Sequence, residues 1–440
     1  MARLPGGAKI TSLLEHHPKL GRIVENIGWL SFDNFFRMGV GLVVGAWVAR
    51  YLGPESFGTL NFVRAMMAIL GPIALLGLPN IVLRELVNAP EKREEIIGTA
   101  FLLHLVGGLL AWVLLLALIG WQRSLGSEGW IISIILGSIL VFKSTHVVKQ
   151  VFEAQVQSKY VVWLENGIVP LVAASKITLI LLEASLVAFA GVFAAEALLV
   201  GIGLLLLYHK KVAPLIWRFT ASRAKSLLLD SWPVIIGGFA IVVYMGIDKV
   251  MLGEMMDDTS VGLYSAAVMI STLIYFIPTV ISKSIFPALA KARKHSIPLY
   301  HERMQKMLSL MVLIAVGISL PMTFLSGPVI SLIFGSDFES SGTVLAIHIW
   351  ASIFVFLGVA GGKYILLENL LRKALVFTII GALVNVVMNY YLIPLYGIIG
   401  CAIATVLSQS ISAFLCNSIY SQTRPLFLMK LKALALQGLL

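Results

Sequence analysis

Charge is scarce in this chain. Asp, Glu, Lys and Arg make up 12% of its residues, against roughly 25% in soluble domains. A sequence that is 59% hydrophobic, with a mean hydropathy of +0.94, has too little polar surface to cover a water-facing globule, and a soluble fold is excluded. Acidic residues are scarcer still, 22 against 33 basic ones. In a soluble protein the resulting charge of +11 would suggest nucleic acid; in a membrane chain the useful question is where the cations sit. Cysteine is almost missing. Cys401 and Cys416 fall in one apolar stretch, about 22 Å apart on a helix, too far for a disulfide. There is no Cys-x-x-Cys, no His-x-x-x-His and no paired-carboxylate spacing, so neither a metal site nor a cofactor is expected. The first 22 residues are polar and basic and lack the short apolar core of a cleavable signal. Long polar segments are lacking too. None exceeds roughly 25 residues between apolar runs, which leaves no room for a soluble catalytic domain. No catalytic residues are expected.

What is present is a succession of apolar windows, each near the ~20 residues that cross a bilayer. They lie near 24–50, 58–79, 96–121, 130–156, 160–182, 185–208, 231–253, 260–289, 305–335, 342–367, 373–394 and 397–420. Several carry an internal break at Pro170, Pro278 or Pro321, tolerated where a bundle or a wet cavity satisfies the backbone. The expected fold is all-α and polytopic, with about 12 transmembrane helices. Alternate loops hold most of the Lys and Arg: around Arg84 to Arg93, at Lys149 and Lys159, through 209–228, from Lys291 to Lys306, at Arg372 and Lys373, and from Arg424 to Lys432. The opposite loops carry Arg50, Arg123 and acidic runs such as Asp257-Asp258. This asymmetry predicts both termini on the cytoplasmic side of the inner membrane. The expected organisation is a cytoplasmic segment 1–22, an N-lobe 23–208, a cytoplasmic linker 209–228, a C-lobe 229–421 and a cytoplasmic tail 422–440. A weak repeat relates the halves. Leu52-Gly53, then Phe57-Gly58, is echoed by Leu252-Gly253, then Val261-Gly262, in the same direction, as in two bundles related by an axis along the membrane normal.

Within the spans remain Arg37, Arg64, Lys143, Lys176, Lys249, Lys283 and Lys363, with fewer acids, Asp33, Glu165, Glu196 and Asp248. Each charge costs about 2.5–3.5 kcal/mol at a helix centre and must face a bundle interior or water. Asp33 and Arg37 are four apart and share a face with Asn26 and Gly41. That stripe is either a cavity wall that meets an anion or an internal ion pair. Arg64 has no acidic residue one turn away and is a second anion contact or a snorkelling side chain. Asp248 is a lumen candidate, with Lys249 pointing about 100° away. Lys283 and Lys363 lie near inner span ends, where snorkelling is the default. Glu196 could neutralise Lys143 or Lys176, and burial would make it, like Asp33, a proton carrier. His104 and His348 read as core histidines, and Asn385 and Asn389, four apart, as interhelical glue or as sugar contacts. Trp29, Trp121 and Tyr208 read as interface anchors. The excess of cations calls for an anion, and a pyrophosphate matches Arg and Lys best.

A family resemblance rests on Ala49-Arg50-Tyr51-Leu52-Gly53-Pro54-Glu55-Ser56-Phe57-Gly58, on Asp248-Lys249-Val250-Met251-Leu252-Gly253, and on Val261-Gly262-Leu263-Tyr264-Ser265-Ala266-Ala267. It continues through 385–394 and through Tyr396-Gly397-Ile398-Ile399-Gly400. With these the chain resembles the Wzx-like polysaccharide-transporter branch of the MATE/MOP flippase superfamily. The resemblance implies two six-helix lobes around a central cavity. It implies a flippase that moves undecaprenyl-pyrophosphate-linked repeat units of O-antigen or exopolysaccharide from the inner to the outer leaflet by alternating access, coupled to an ion or to the membrane potential. Basic lumen residues would hold the pyrophosphate; Arg37 and Arg64 match that role by position, and Lys176, Lys283 and Lys363 are further matches. Asp33, Glu196 and Asp248 are candidates for coupling or charge pairing. Partners would be the undecaprenyl-pyrophosphate-linked glycan and membrane lipid, with a polysaccharide polymerase as a further candidate and no nucleic acid. A MATE-type multidrug or cation antiporter is the alternative transporter, but it calls for an acidic cavity. A membrane glycosyltransferase or polymerase calls for paired carboxylates and a sizeable outer loop.

Overall fold

The computed structural model describes residues 18–122 and 126–437, with side chains from residue 36 onward. Arg3, Lys9, Lys19, Arg22, Asn26, Trp29, Asp33 and Arg123 lie outside the described side chains. Every regular element among the described residues is helical. In chain order they are α1 (Pro18–Leu75), α2 (Pro79–Asn88), α3 (Arg93–Gln122), α4 (Glu128–Phe142), α5 (Val147–Ala154), α6 (Lys159–Leu181), α7 (Leu186–Lys211) and α8 (Ala221–Met255). There follow α9 (Asp258–Leu273), α10 (Phe276–His295), α11 (Ile297–Phe334), α12 (Ser341–His348), α13 (Ala351–Leu367), α14 (Leu371–Ala413) and α15 (Arg424–Leu434).

Among the described residues, ten segments are long and apolar enough to cross a membrane. The two longest, Phe36–Asn88 and Leu371–Ser418, each hold two of the expected spans, on either side of Gly53 and Gly397. Both glycines are left-handed, with φ of 72° and 57°, a conformation that other residues adopt only with strain. Some of the other helices start on side-chain caps. Ser127 accepts from Trp130 N at 3.3 Å and Asp257 from Ser260 N at 2.7 Å, each satisfying an orphan donor of the first turn. Asp257, read from sequence only as part of an acidic loop, is thus a helix cap.

Three expectations about helix continuity need correction. The span expected over 130–156 is broken by a 3-10 turn at Lys143–His146 between α4 and α5. The helix runs on through Pro170 and Pro321, so neither is a break. Pro278 does follow one, at Ile274 and Tyr275 between α9 and α10. Tyr208 is not an interface anchor: it is fully buried, edge-on to Trp217 at 5.5 Å. Trp121 is almost fully exposed, as an anchor should be.

The chain forms two compact units, one from Met1–Gly45 and Leu70–Ile236, the other from Ala46–Ile69 and Gly237–Leu440. The first is centred on Leu78, Val82, Ile96, Ile97, Val147, Phe152, Leu204 and Tyr208. Arg223 on α8 ties α2 and α3 together there, reaching Glu95 at 2.8 Å and Glu85 at 3.3 Å, and Arg84 reaches Asp230 at 2.7 Å. The second unit packs Tyr300, Met304, Leu308, Met311, Phe356, Leu357, Tyr364 and Leu426. Its last helix, α15, lies against α11 and α13, and Lys430 is buried there, donating to Ala413 O and to Asn417 Oδ1 at 3.2 Å. Large apolar side chains such as Trp47, Phe324, Leu332 and Leu395 are exposed, the outward apolar surface that a lipid solvent requires.

The glycine repeat has a structural counterpart inside the second unit. A Cβ on Gly58 would overlap the carbonyl of Asp258, and a Cβ on Gly262 would overlap the carbonyl of Pro54. The two helix starts cross reciprocally, each glycine receiving the backbone four residues upstream of the other. Thr59 Oγ1 donates to Asp258 Oδ2 across the same crossing.

Candidate functional site

In the first unit Arg37, Lys149 and Glu165 come together. Glu165 lies nearly two turns into α6 and is nine-tenths buried. Its Oε2 accepts from Arg37 Nη2 at 2.8 Å, and Lys149 Nζ pairs with its Oε1. A lone carboxylate at this depth would be costly; two cations, one per oxygen, offset that cost. The side chains of Arg37 and Lys149 are 31% and 24% exposed against 11% for Glu165. The acid therefore stands behind the cations. His146 lies in the electrostatic field of Lys149, Lys143 and Arg37.

Lys149 was expected in a cytoplasmic loop, and the 3-10 turn explains the difference. In a continuous α-helix Lys143 and Lys149 would point about 120° apart. A 3-10 turn advances about 120° per residue instead of 100°; over four residues this brings the two lysines to within about 40°. Nothing in Lys143-Ser144-Thr145-His146 resembles a breaker, since the run contains neither Gly nor Pro. The turn is held by packing: Thr145 Oγ1 donates to Phe142 O at 2.8 Å, and α7 approaches it at Gly201.

Lys176 and Glu196 form a second pair in the same unit at 3.9 Å, with Lys176 Nζ also 3.9 Å from the Phe193 ring centroid. Lys176 is thus one of the two lysines that Glu196 was expected to neutralise. Glu165 and Lys176 are three helical turns apart on α6 and so share one of its faces. The two clusters line that face about 16 Å apart.

In the second unit the charged centre is Asp248 on α8. It is buried. Asn389 Nδ2 donates to its Oδ1 at 2.7 Å; Tyr264 OH and Thr405 Oγ1 both donate to its Oδ2 at 2.9 Å. Asn389 also donates to Asn385 Oδ1 at 3.1 Å, and Asn385 to Ser408 Oγ at 3.3 Å. Asn385 and Asn389 are therefore glue, and what they glue is a carboxylate. The Oδ1 of Asn389 is buried and has no partner, so an oxygen lone pair beside Asp248 is left unused. Because Asn389, Tyr264 and Thr405 turn their donors toward the carboxylate, this lone pair is the acceptor left open there for a proton or a small cation. His348 is a core histidine, its Nδ1 2.8 Å from Ser271 Oγ.

The remaining expected residues of the second unit do not join the Asp248 cluster through any described bond. Arg64 is exposed and lies in the field of Lys249. Lys283 is exposed on α10, and Lys363 Nζ stands 5.6 Å from the Phe286 ring. Both positions fit side chains that reach out of their spans.

Residues 23–293 match the family described as Polysaccharide biosynthesis protein. The chain is 21% identical over 401 residues to the probable low-salt glycan biosynthesis flippase Agl15 of Haloferax volcanii, covering 88% of this chain and 81% of that protein. It is 28% identical over 178 residues to the probable flippase AglR of the same organism, a match to 37% of that protein and 39% of this chain. Among solved structures, an inward-facing multidrug resistance MATE family transporter of the MOP superfamily superposes with a TM-score of 0.70 at 15% identity, over 93% of this chain and 98% of that one. The lipid II flippase MurJ, in an inward closed conformation, superposes with a TM-score of 0.70 at 16% identity, over 92% and 90%. These likenesses establish the fold.

Proposed function

The chain belongs to the polysaccharide biosynthesis protein family, and from that premise we propose that it carries an undecaprenyl-pyrophosphate-linked glycan from the inner to the outer leaflet of the cytoplasmic membrane. It is a multi-pass membrane transport protein and not an enzyme, in keeping with relatives described as a probable flippase and a probable glycan biosynthesis flippase. The observation that carries the proposal is the convergence of Arg37 and Lys149 at a buried position of a bilayer-spanning unit. Guanidinium and ammonium groups held on one side of a buried acid suit the oxygens of a phosphate linker. The polyprenyl chain needs no polar site and stays in lipid. Lys176, about 16 Å away on the same helix face, is out of reach of the same pyrophosphate and gives a second station for the sugars that follow it; Arg64, Lys283 and Lys363, in the second unit, are proposed as further substrate contacts. In this reading residues 23–208 and 229–421 act as the two lobes of an alternating-access carrier, both termini are cytoplasmic, and a polysaccharide polymerase uses the product.

Asp248 is the proposed coupling group. A cation or proton entering beside the unused Asn389 Oδ1 would neutralise a buried carboxylate that three donors already hold in place. Binding of charge there would favour one conformation over another only through its differential affinity for the two. The MATE likeness is one of fold, and a carrier of cationic drugs would place acids where this first unit places Arg37, Lys149 and Lys176.

The test is flipping in proteoliposomes loaded with a fluorescent undecaprenyl-pyrophosphate oligosaccharide, scored by access of an external quencher. Protein-dependent quenching that accelerates under a sodium or proton gradient is expected, with the acceleration lost in Asp248→Asn. Efflux of a cationic dye without lipid movement would replace this reading by the antiporter.

A further inference from the structure

The most unusual feature of the first unit is the placement of Glu165. An acid meant only to neutralise a buried cation needs one partner. This one spends each of its oxygens on a different cation, Arg37 from α1 and Lys149 from α5. Neither cation is sealed in; both are more exposed than the acid that holds them. The group that a phosphate would have to displace is thus already in position, with two oxygens spaced much as two oxygens of one phosphate are.

We propose that Glu165 is a built-in stand-in for the substrate's phosphate, occupying Arg37 and Lys149 when the site is empty and reclaiming them at release. The inference rests on the reading that the lipid's phosphate linker binds these cations. On arrival, phosphate oxygens take over the donors of Arg37 and Lys149, and the Glu165 carboxylate is left behind them without its partners. Its negative charge then opposes that of the phosphate across a short distance in a weakly screening medium. Binding is weakened, and re-formation of the two internal pairs favours release on the far side. A carrier gains from this arrangement because a site that holds its anion too tightly turns over slowly. Glu165 is accordingly a positioning residue: it acts through Arg37 and Lys149 and need not touch the substrate.

The test uses the full-length protein in nanodiscs, titrated with inorganic pyrophosphate and with a sugar-free polyprenyl pyrophosphate, together with multiple-turnover flipping in proteoliposomes. Glu165→Gln keeps the shape and removes the competing charge. It should bind both probes on the order of ten- to hundredfold more tightly than wild type while flipping more slowly over many turnovers. Glu165→Asp is one methylene shorter and cannot hold both cations as well, so it should tighten binding by less. If Glu165→Gln does not fold, the Asp variant decides alone. Unchanged or weaker binding in either variant makes Glu165 a structural tie and overturns the inference while leaving the proposed function standing. If neither the wild type nor Glu165→Gln binds either probe, the proposed function falls, and this inference with it.

Discussion

Arg37 is the residue on which most of the account converges, and its neighbours make its role separable from that of a simple ion pair. Removing it leaves Glu165 with Lys149 as its one described cation, so a buried carboxylate stays partly compensated and the helices stay inserted. Arg37→Ala should therefore accumulate in the membrane at near wild-type level but flip the lipid-linked glycan at least tenfold more slowly, a loss of about 1.4 kcal/mol or more. Arg37→Lys should recover part of the rate, since it restores the charge but not the fork of donors. Equal transport by both variants would make Arg37 structural. At this scale the sequence was informative where one residue sufficed. The charges of Arg37, Glu165, Lys176, Glu196 and Asp248 stand out against apolar runs because each is costly there. It was silent where two helices had to be known as neighbours. Thr405 and Tyr264 look like ordinary polar residues until α8, α9 and α14 are packed together, and Lys149 looked like the edge of a loop because hydropathy has no sign for a 3-10 turn.

Elements carry a different kind of information. The reciprocal crossing of Gly58 and Gly262 leaves no room for a methyl group on either side, and the obstacle is backbone, which cannot rotate away. Gly262→Ala should cost about 1–3 kcal/mol of packing, seen as a lower melting temperature in detergent, whereas the same change at Gly39, which has open space around it, should be neutral or stabilising. The repeated Leu-Gly and hydrophobe-Gly pairs were visible in the sequence; that the two copies press on each other was not, because a repeat announces similarity and not contact. At the other end of the chain, α15 is pinned by a buried lysine. Burial lowers the Lys430 amine to about 7. The docked state thus favours the neutral form, while the undocked chain keeps its proton up to about pH 10.4. Docking is weakest below about pH 7 and strengthens as the pH rises toward that higher value. Thermal stability should rise from about pH 7 to about pH 9 in wild type, and the Lys430→Met variant should lose that slope. Identical slopes would show that Lys430 is charged in place. Glu368, held below the usual carboxylate range by hydrogen bonds from Arg293, gives a slope of the same sign but in another window, its contribution being lost only as the pH falls through the acid range, so the two do not overlap.

At the scale of the whole molecule, the fold class could be read from hydropathy and charge alone, and the ten apolar segments correspond to the windows seen in the sequence, with Gly53 and Gly397 dividing the two longest. The proposed function rests on the contrast between units. Among the described residues, one gathers Arg37 and Lys149 around the buried Glu165, and the other buries Asp248 among hydroxyls and amides. In the proposed reading the first serves an anionic cargo and the second a coupling cation. The central claim is that the charged linker, and not the sugar, is what the first unit holds. The measurement that bears on it most directly compares flipping of one fluorescent oligosaccharide attached to undecaprenyl pyrophosphate with flipping of the same oligosaccharide attached to a neutral polyprenyl ether. The account predicts rapid, protein-dependent movement of the pyrophosphate form, inhibited by sugar-free polyprenyl pyrophosphate, and little movement of the neutral form. Equal rates for the two lipids would contradict it.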